Sequence, residues 1–211
     1  MKKGRFLVIE GIDGSGKSYQ ATEFGRRLRN IGVDAIVTEE PWLEDSIGTL
    51  IKKALYDKRE SLDIRTLQLL YIANRSNHLH RVVEPAISSG KTVITSRYWM
   101  STAVYGGMFS TDPYFDMKHF VHINEPFMKP DAVFHISVKP EEAFRRLAKQ
   151  RRLTDRFEKL ELIRKQSEGY SELEKIYKYK GVWININGNQ EKKEVTDEIM
   201  RNYGRIENFI V

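Results

Sequence analysis

The chain has 211 residues, 40% of them hydrophobic and 30% charged, and is long enough for one sizeable core, so a single domain over residues 1–211 is expected. No stretch approaches the ~20 consecutive apolar residues needed to cross a bilayer, which excludes a membrane span, and a formal net charge of +6 favours anionic partners. With no cysteine there is no disulfide framework, no thiolate metal site and no thiol nucleophile, so any chemistry must come from other groups.

Met1 to Glu10 carries two lysines and only a short apolar run, unlike the longer apolar segment of a secretory signal, so the cytoplasm is the default compartment. Arg5 to Ile9 predicts a strand that breaks into the glycine-rich Gly11 to Gly16, and Lys17 to Asn30 predicts a helix closed near Gly32. Further β-rich runs lie at Asp34 to Thr38, Thr92 to Thr95, Ala132 to Val138 and Val182 to Ile186, with helical patterns between them. Leu62 to Ser89 is a long helical stretch broken late by Pro85, and Pro140 followed by Glu141 and Glu142 starts another helix. Strands alternating with helices predict an α/β fold, a parallel sheet of about five strands covered by helices on both faces.

Gly11-Ile12-Asp13-Gly14-Ser15-Gly16-Lys17-Ser18 fits G-x-x-x-x-G-K-[ST] and lies where a phosphate loop must lie, between a strand and a helix. The glycines let backbone N–H groups turn toward phosphate oxygens, and the helix N-terminus adds positive potential. Lys17 reaches the transferred phosphate, and Ser18 can ligate Mg²⁺. A chance match in ~200 residues has a probability of roughly 1%, so a nucleoside triphosphate user is expected. The loop alone does not choose among regulatory GTPases, motor ATPases and small-molecule kinases.

The segment Phe6 to Ser18 resembles thymidylate kinases, which commonly read F-I-x-x-E-G-x-[DE]-G-x-G-K-[ST]. The resemblance implies a P-loop sandwich with a helical lid, and it gives Asp13 a hydrogen bond to the acceptor sugar's 3′-hydroxyl. Leu70-Tyr71-Ile72-Ala73-Asn74-Arg75 is similar to the family's L-F-x-A-[DN]-R, implying that Tyr71 stacks on thymine and Arg75 bonds the base. Four residues apart on a helix, the two share a face. Thr92 to Tyr105 resembles a segment containing D-R-[YH]-x-x-S-x-x-A-Y, which implies that Arg97 binds the acceptor phosphate while Ser101 and Tyr105 line the dTMP site. Ser96 stands where the family has aspartate.

Glu40-Pro41 with Ile47 to Lys52 is similar to E-P-G-G-T-x-x-G-x-x-I-R, with Trp42-Leu43 in place of the glycine pair and Lys52 in place of the arginine. Pro41 and Lys52 then belong to the dTMP site, although Lys52 lacks the bidentate fork of an arginine. Arg145 to Glu158 resembles the lid, and Arg151, four residues before Asp155, is the catalytic arginine that the resemblance implies; a basic solvated helix end describes Arg145 and Arg146 better. Val182 to Asn189 resembles the last strand and the loop passing near adenine.

The expected function is therefore transfer of the γ-phosphoryl of Mg-ATP to dTMP, a step of dTTP biosynthesis, with Lys17, Arg97 and Arg151 as catalytic residues. A homodimer is implied by the resemblance, and neither nucleic acid nor membrane is an expected partner. The alternatives are a kinase for another nucleotide or a deoxynucleoside and, further off, a P-loop nucleic-acid-binding ATPase. A GTP switch lacks its N-K-x-D motif here. His119 and His122 are expected at the surface, and His78, His80 and His135 carry no functional expectation.

Overall fold

A computed structural model of the chain describes residues 4–57, 62–149, 159–176 and 182–209. In chain order its elements are β1 (Phe6–Glu10), α1 (Lys17–Asn30), β2 (Ala35–Glu39), α2 (Ser46–Tyr56), α3 (Ile64–His78), α4 (Glu84–Ser88), β3 (Thr92–Ser96), α5 (Trp99–Phe109), α6 (Met117–Ile123), β4 (Ala132–Ser137), α7 (Pro140–Lys149), α8 (Leu160–Ile176), β5 (Val182–Asn187) and α9 (Lys192–Phe209). The five strands form one all-parallel sheet in the order β2-β3-β1-β4-β5. β1 is central, so Phe6, Leu7, Val8 and Ile9 are all buried; this is why it reads as an unbroken apolar run rather than an alternating one.

Successive residues of a strand point to opposite faces, and β4 shows what covers each. Phe134 meets Phe24 of α1, which in turn meets Tyr203 of α9, with ring centroids 5.7 and 5.6 Å apart. Its neighbour His135 stacks at 4.9 Å on Tyr170 of α8. α1 and α9 therefore form one helical layer; α3, α5 and α8 pack in series as the other. Gly169 sets the depth of α8: a Cβ there would lie 2.7 Å from Met108 Cγ and 2.8 Å from Val104 Cγ1, so only glycine lets α8 approach α5 this closely. That approach brings Gln166 and Tyr170 to the C-terminal edge of the sheet.

The predicted break at Pro85 takes a different form. A π-helical turn, Leu79–Val83, joins α3 to α4, with Glu84 N–H donating to Leu79 C=O. A proline in a regular helix clashes with the carbonyl four residues earlier, here that of Arg81, and widening the preceding turn relieves the clash. Among the described residues, no helix is long and apolar enough to cross a membrane.

Candidate active site

A cleft of about 1350 Å³ runs along the C-terminal edge of the sheet, where ligands of open parallel sheets gather. Asp13 to Gln20 line its middle, Gly188 to Lys192 one end, and Pro41, Lys52, Tyr71 and Arg75 the other. Arg97, Ser101 and Tyr105 join the middle to that second end.

The phosphate loop is built for close approach. Gly14 has φ 80°, and a Cβ there would lie 2.3 Å from the carbonyl oxygen of Ala143, so the loop packs directly against α7. α2, α3 and α6 start with Asp45, Asp63 and Asp116, whose carboxylates accept their first N–H groups. α1 starts at Gly16 with no side-chain cap, which leaves its N-terminal donors to a ligand in the cleft.

Asp13 is the meeting point of the charges. Its carboxylate accepts from Arg97 Nη2 in a very short contact, from Tyr105 OH at 2.5 Å, from Lys17 Nζ at 3.2 Å and from Gln166 Nε2 at 3.3 Å. Gln166 Oε1 also accepts the Asp13 backbone N–H at 3.0 Å, so α8 grips this residue twice. Burial alone would raise the Asp13 pKa, but Arg97 and Lys17 outweigh it and hold the carboxyl well below its usual range. Burial and the neighbouring Arg97 push the Lys17 ammonium down to about 8, with Asp13 and Glu10 opposing.

Arg97 sits on the loop after β3 with φ 72°, a left-handed conformation that costs a side-chain-bearing residue roughly 1–2 kcal/mol. Its backbone N–H bonds Ile9 C=O at 2.9 Å and its carbonyl accepts from Thr95 Oγ1 at 3.0 Å, which fixes that conformation. Beneath it, the fully buried Glu10 takes the place of a cap for α5. One Glu10 oxygen accepts from the N–H groups of Tyr98 and Ser101 at 2.8 and 3.2 Å, the other from Ser101 Oγ at 2.9 Å and Tyr170 OH at 2.6 Å. Ser101 Oγ accepts in turn from Arg97 Nη1 at 3.1 Å.

At the second end Arg75 is 1% exposed, which excludes a surface arginine. It donates through all three guanidinium nitrogens, to Glu40 at 2.8 Å, Asn124 at 2.6 Å and Thr102 at 2.9 Å, and still lines the cleft. Asn74 clasps the Glu40-Pro41-Trp42 loop, bonding the Trp42 N–H and carbonyl, each at 2.8 Å. Trp42 stacks on the buried His78, whose Nε2 lies 2.8 Å from Thr38 Oγ1. Tyr71 is half-buried and Lys52 exposed, and both line the cleft.

The structure thus brings together every expected substrate-site residue from Asp13 to Ser18 with Pro41, Lys52, Tyr71, Arg75, Arg97, Ser101 and Tyr105; Gly11 and Ile12 form the buried start of the loop behind the cleft wall. Arg151 and most of the expected lid lie outside the described residues. Arg146 departs from a solvated helix end: it bonds Glu142 at 2.7 Å and the Gly188 carbonyl at 3.0 Å, tying α7 to the loop after β5. Ser18 Oγ lies 3.2 Å from Ser96 Oγ, so the serine at the aspartate's position faces the loop's terminal hydroxyl. No group of three or more potential His, Asp or Glu metal ligands occurs among the described residues.

Glu10, Asn74, Gln166 and Tyr170 were not singled out by the sequence. Glu10 and Asn74 had a signal, since each fills a fixed position of a motif the chain resembles, and Glu10 is also a carboxylate ending an otherwise apolar strand; the contacts of α8 span about 150 residues and leave no local pattern.

The comparisons with known proteins agree with this geometry. A family model described as "Thymidylate kinase" matches residues 9–199. A thymidylate kinase of Caldicellulosiruptor saccharolyticus is 32% identical over 209 residues, covering 94% of this chain and 98% of its own. One from Brachyspira hyodysenteriae is 29% identical, covering 94% and 92%. A probable thymidylate kinase of Thermococcus gammatolerans is 32% identical, covering 82% and 85%. With that match spanning nearly the whole chain and the phosphate loop, Arg97 and Tyr71-Arg75 gathered on one cleft, the chain belongs to the thymidylate kinase family.

Proposed function

We propose that the chain transfers the γ-phosphoryl group of Mg-ATP to dTMP, giving dTDP and ADP, and so serves dTTP biosynthesis. The observation that carries this reading is the continuity of the cleft: a phosphate loop at its middle, the Gly188 to Lys192 loop before α9 at one end, and an aromatic-arginine pair at the other.

Phosphoryl transfer asks for alignment and charge neutralisation more than for covalent chemistry. Lys17 and the uncapped start of α1 would hold the donor's terminal phosphates, and Arg97 the acceptor phosphate. Asp13 holds both cations beforehand and is released to the acceptor's sugar hydroxyl as phosphate oxygens take its place. Tyr71 would cover one face of the base while Arg75, anchored from behind, offers its remaining N–H groups to the base edge; Ser101, Tyr105, Pro41 and Lys52 complete the acceptor side.

The hydroxyls of Ser18 and Ser96 are hard oxygen donors that suit Mg²⁺, with most of its coordination left to phosphate oxygens and water. When bound, the ion would neutralise charge on the transferring group. Arg151, on resemblance alone, is proposed as the third cation over that group, and residues 145–158 as a lid that excludes water. A single domain, a homodimer, cytoplasmic residence and the absence of nucleic-acid or membrane partners belong to the same proposal.

The test is coupled ADP release with Mg-ATP and dTMP, dUMP, dGMP, AMP, UMP or thymidine in parallel. Preference for dTMP is expected. Turnover of another acceptor would retain the kinase and overturn the base pocket, and silence with all six would favour a nucleic-acid-stimulated ATPase.

A further inference from the structure

Gln68 lies three residues before Tyr71 and seven before Arg75, which puts it on the same face of α3. It is 1% exposed, yet it lines the cleft alongside those two residues. No hydrogen bond joins its carboxamide to another described residue, and its amide atoms are not among the sealed, unpartnered ones, so they open onto the cleft. Other buried side chains of α3 contrast with it: Asn74, Arg75 and His78 are each tied to the Thr38–Trp42 segment. The other buried glutamines are likewise tied, Gln20 to Lys192 and Thr196, and Gln166 to Asp13. An amide that no protein group engages and that reaches only a binding cleft can take its partners from the ligand that fills the cleft.

The chemistry of that partner follows from the amide, which presents a donor and an acceptor side by side in one plane. A pyrimidine imide edge presents the complement, an exocyclic carbonyl beside a ring N–H. Arg75 offers donors only and cannot take the ring N–H. We infer that Gln68 is a specificity-determining residue of the acceptor site, its carbonyl accepting the ring N3–H of the base and its NH₂ donating to the adjacent carbonyl. This rests on the reading of the cleft as a dTMP site. It distinguishes imide bases from those lacking the N–H by a feature that neither Tyr71 nor Arg75 supplies.

The test compares the unsubstituted chain with Gln68→Met, a near-isosteric side chain without the amide. Calorimetric titration would use dTMP, N3-methyl-dTMP and ATP, with thermal unfolding measured alongside. The unsubstituted chain is expected to bind dTMP about 10-fold more tightly than its N3-methyl analogue, and Gln68→Met to bind both equally weakly. ATP affinity and Tm should both be unchanged, because the substitution removes no hydrogen bond within the chain. Wild-type dTMP affinity in Gln68→Met, or a Tm lowered by several degrees, would overturn the role of Gln68 while leaving the kinase reading intact. Failure of the unsubstituted chain to bind dTMP at all would overturn the acceptor reading first, and this inference with it.

Discussion

Arg75 and Arg97 stand in one cleft and are held in opposite ways. Arg75 is sealed in the wall, with Glu40, Asn124 and Thr102 each occupying a different nitrogen and Tyr98 beneath its plane at 5.2 Å. Arg97 is more open, bends its backbone into the left-handed region, and shares the single carboxylate of Asp13 with Lys17 and Tyr105. The first arrangement is a fixed surface against which a planar group can be measured. The second is a set of charges balanced on one carboxylate, which on the proposed function would change partner when phosphate oxygens arrive. On the proposed function, identity and chemistry would be handled by differently built parts of the same cleft.

The largest effect that tests this contrast is on stability. Arg75→Met leaves the buried Glu40 carboxylate with only His78 Nδ1 at 3.4 Å beside it, and breaking a buried pair from one side costs about 3–5 kcal/mol. Denaturant unfolding should show that loss, whereas Arg97→Met, which keeps the left-handed backbone and leaves Asp13 paired with Lys17, should cost far less. An equal cost at both positions would dissolve the distinction between wall and exchangeable charge.

Next in size is turnover. Lys17→Ala is expected to lower kcat by about 10²–10³-fold or more while circular dichroism and Tm remain close to those of the unsubstituted chain. Activity retained at the original level would remove the phosphate loop from the mechanism.

The pH profile gives a smaller, graded effect. Lys17 is held down to about 8, so the free protein loses this positive charge as pH rises through that value. kcat/KM for ATP, which reports groups of the free protein, should fall above about pH 8 by up to ~10-fold per unit. Lys17→Arg keeps its charge and should lack that inflection, whatever its absolute rate; an inflection retained in that variant would assign the titration elsewhere.

Smallest is the contribution of α8. Gln166→Leu removes two hydrogen bonds to Asp13 and should raise KM for dTMP by roughly 10-fold with little change in KM for ATP, as expected of a residue that positions the acceptor side through another. Equal changes in both would make Gln166 a general structural support.

Much of this was legible in the sequence, for physical reasons that differ by element. The strand-loop-helix of β1 and α1 has only local requirements, an apolar run, glycines and a helix start, and α1 begins and ends where its pattern predicts. Tyr71 and Arg75 were legible because helical spacing alone puts them on one face. Gln68 obeys the same spacing and could have been found the same way. What remained hidden depends on distant packing. Glu10 acquires its role only when α5 and α8 converge over the end of β1, and Gln166 only because Gly169 lets α8 sit close to α5. The form of the break near Pro85 was hidden too, since proline announces a disturbance but not that a π-helical turn before it absorbs the clash.

The most direct measurement of the central claim follows the phosphorus itself: ³¹P NMR of Mg-ATP with the chain, first alone and then with dTMP. Without dTMP the ATP resonances should persist with little inorganic phosphate; with dTMP, ADP and dTDP should appear together in equal amounts. Phosphate released at the same rate with or without dTMP would contradict a cleft built to pass the group from one nucleotide to another.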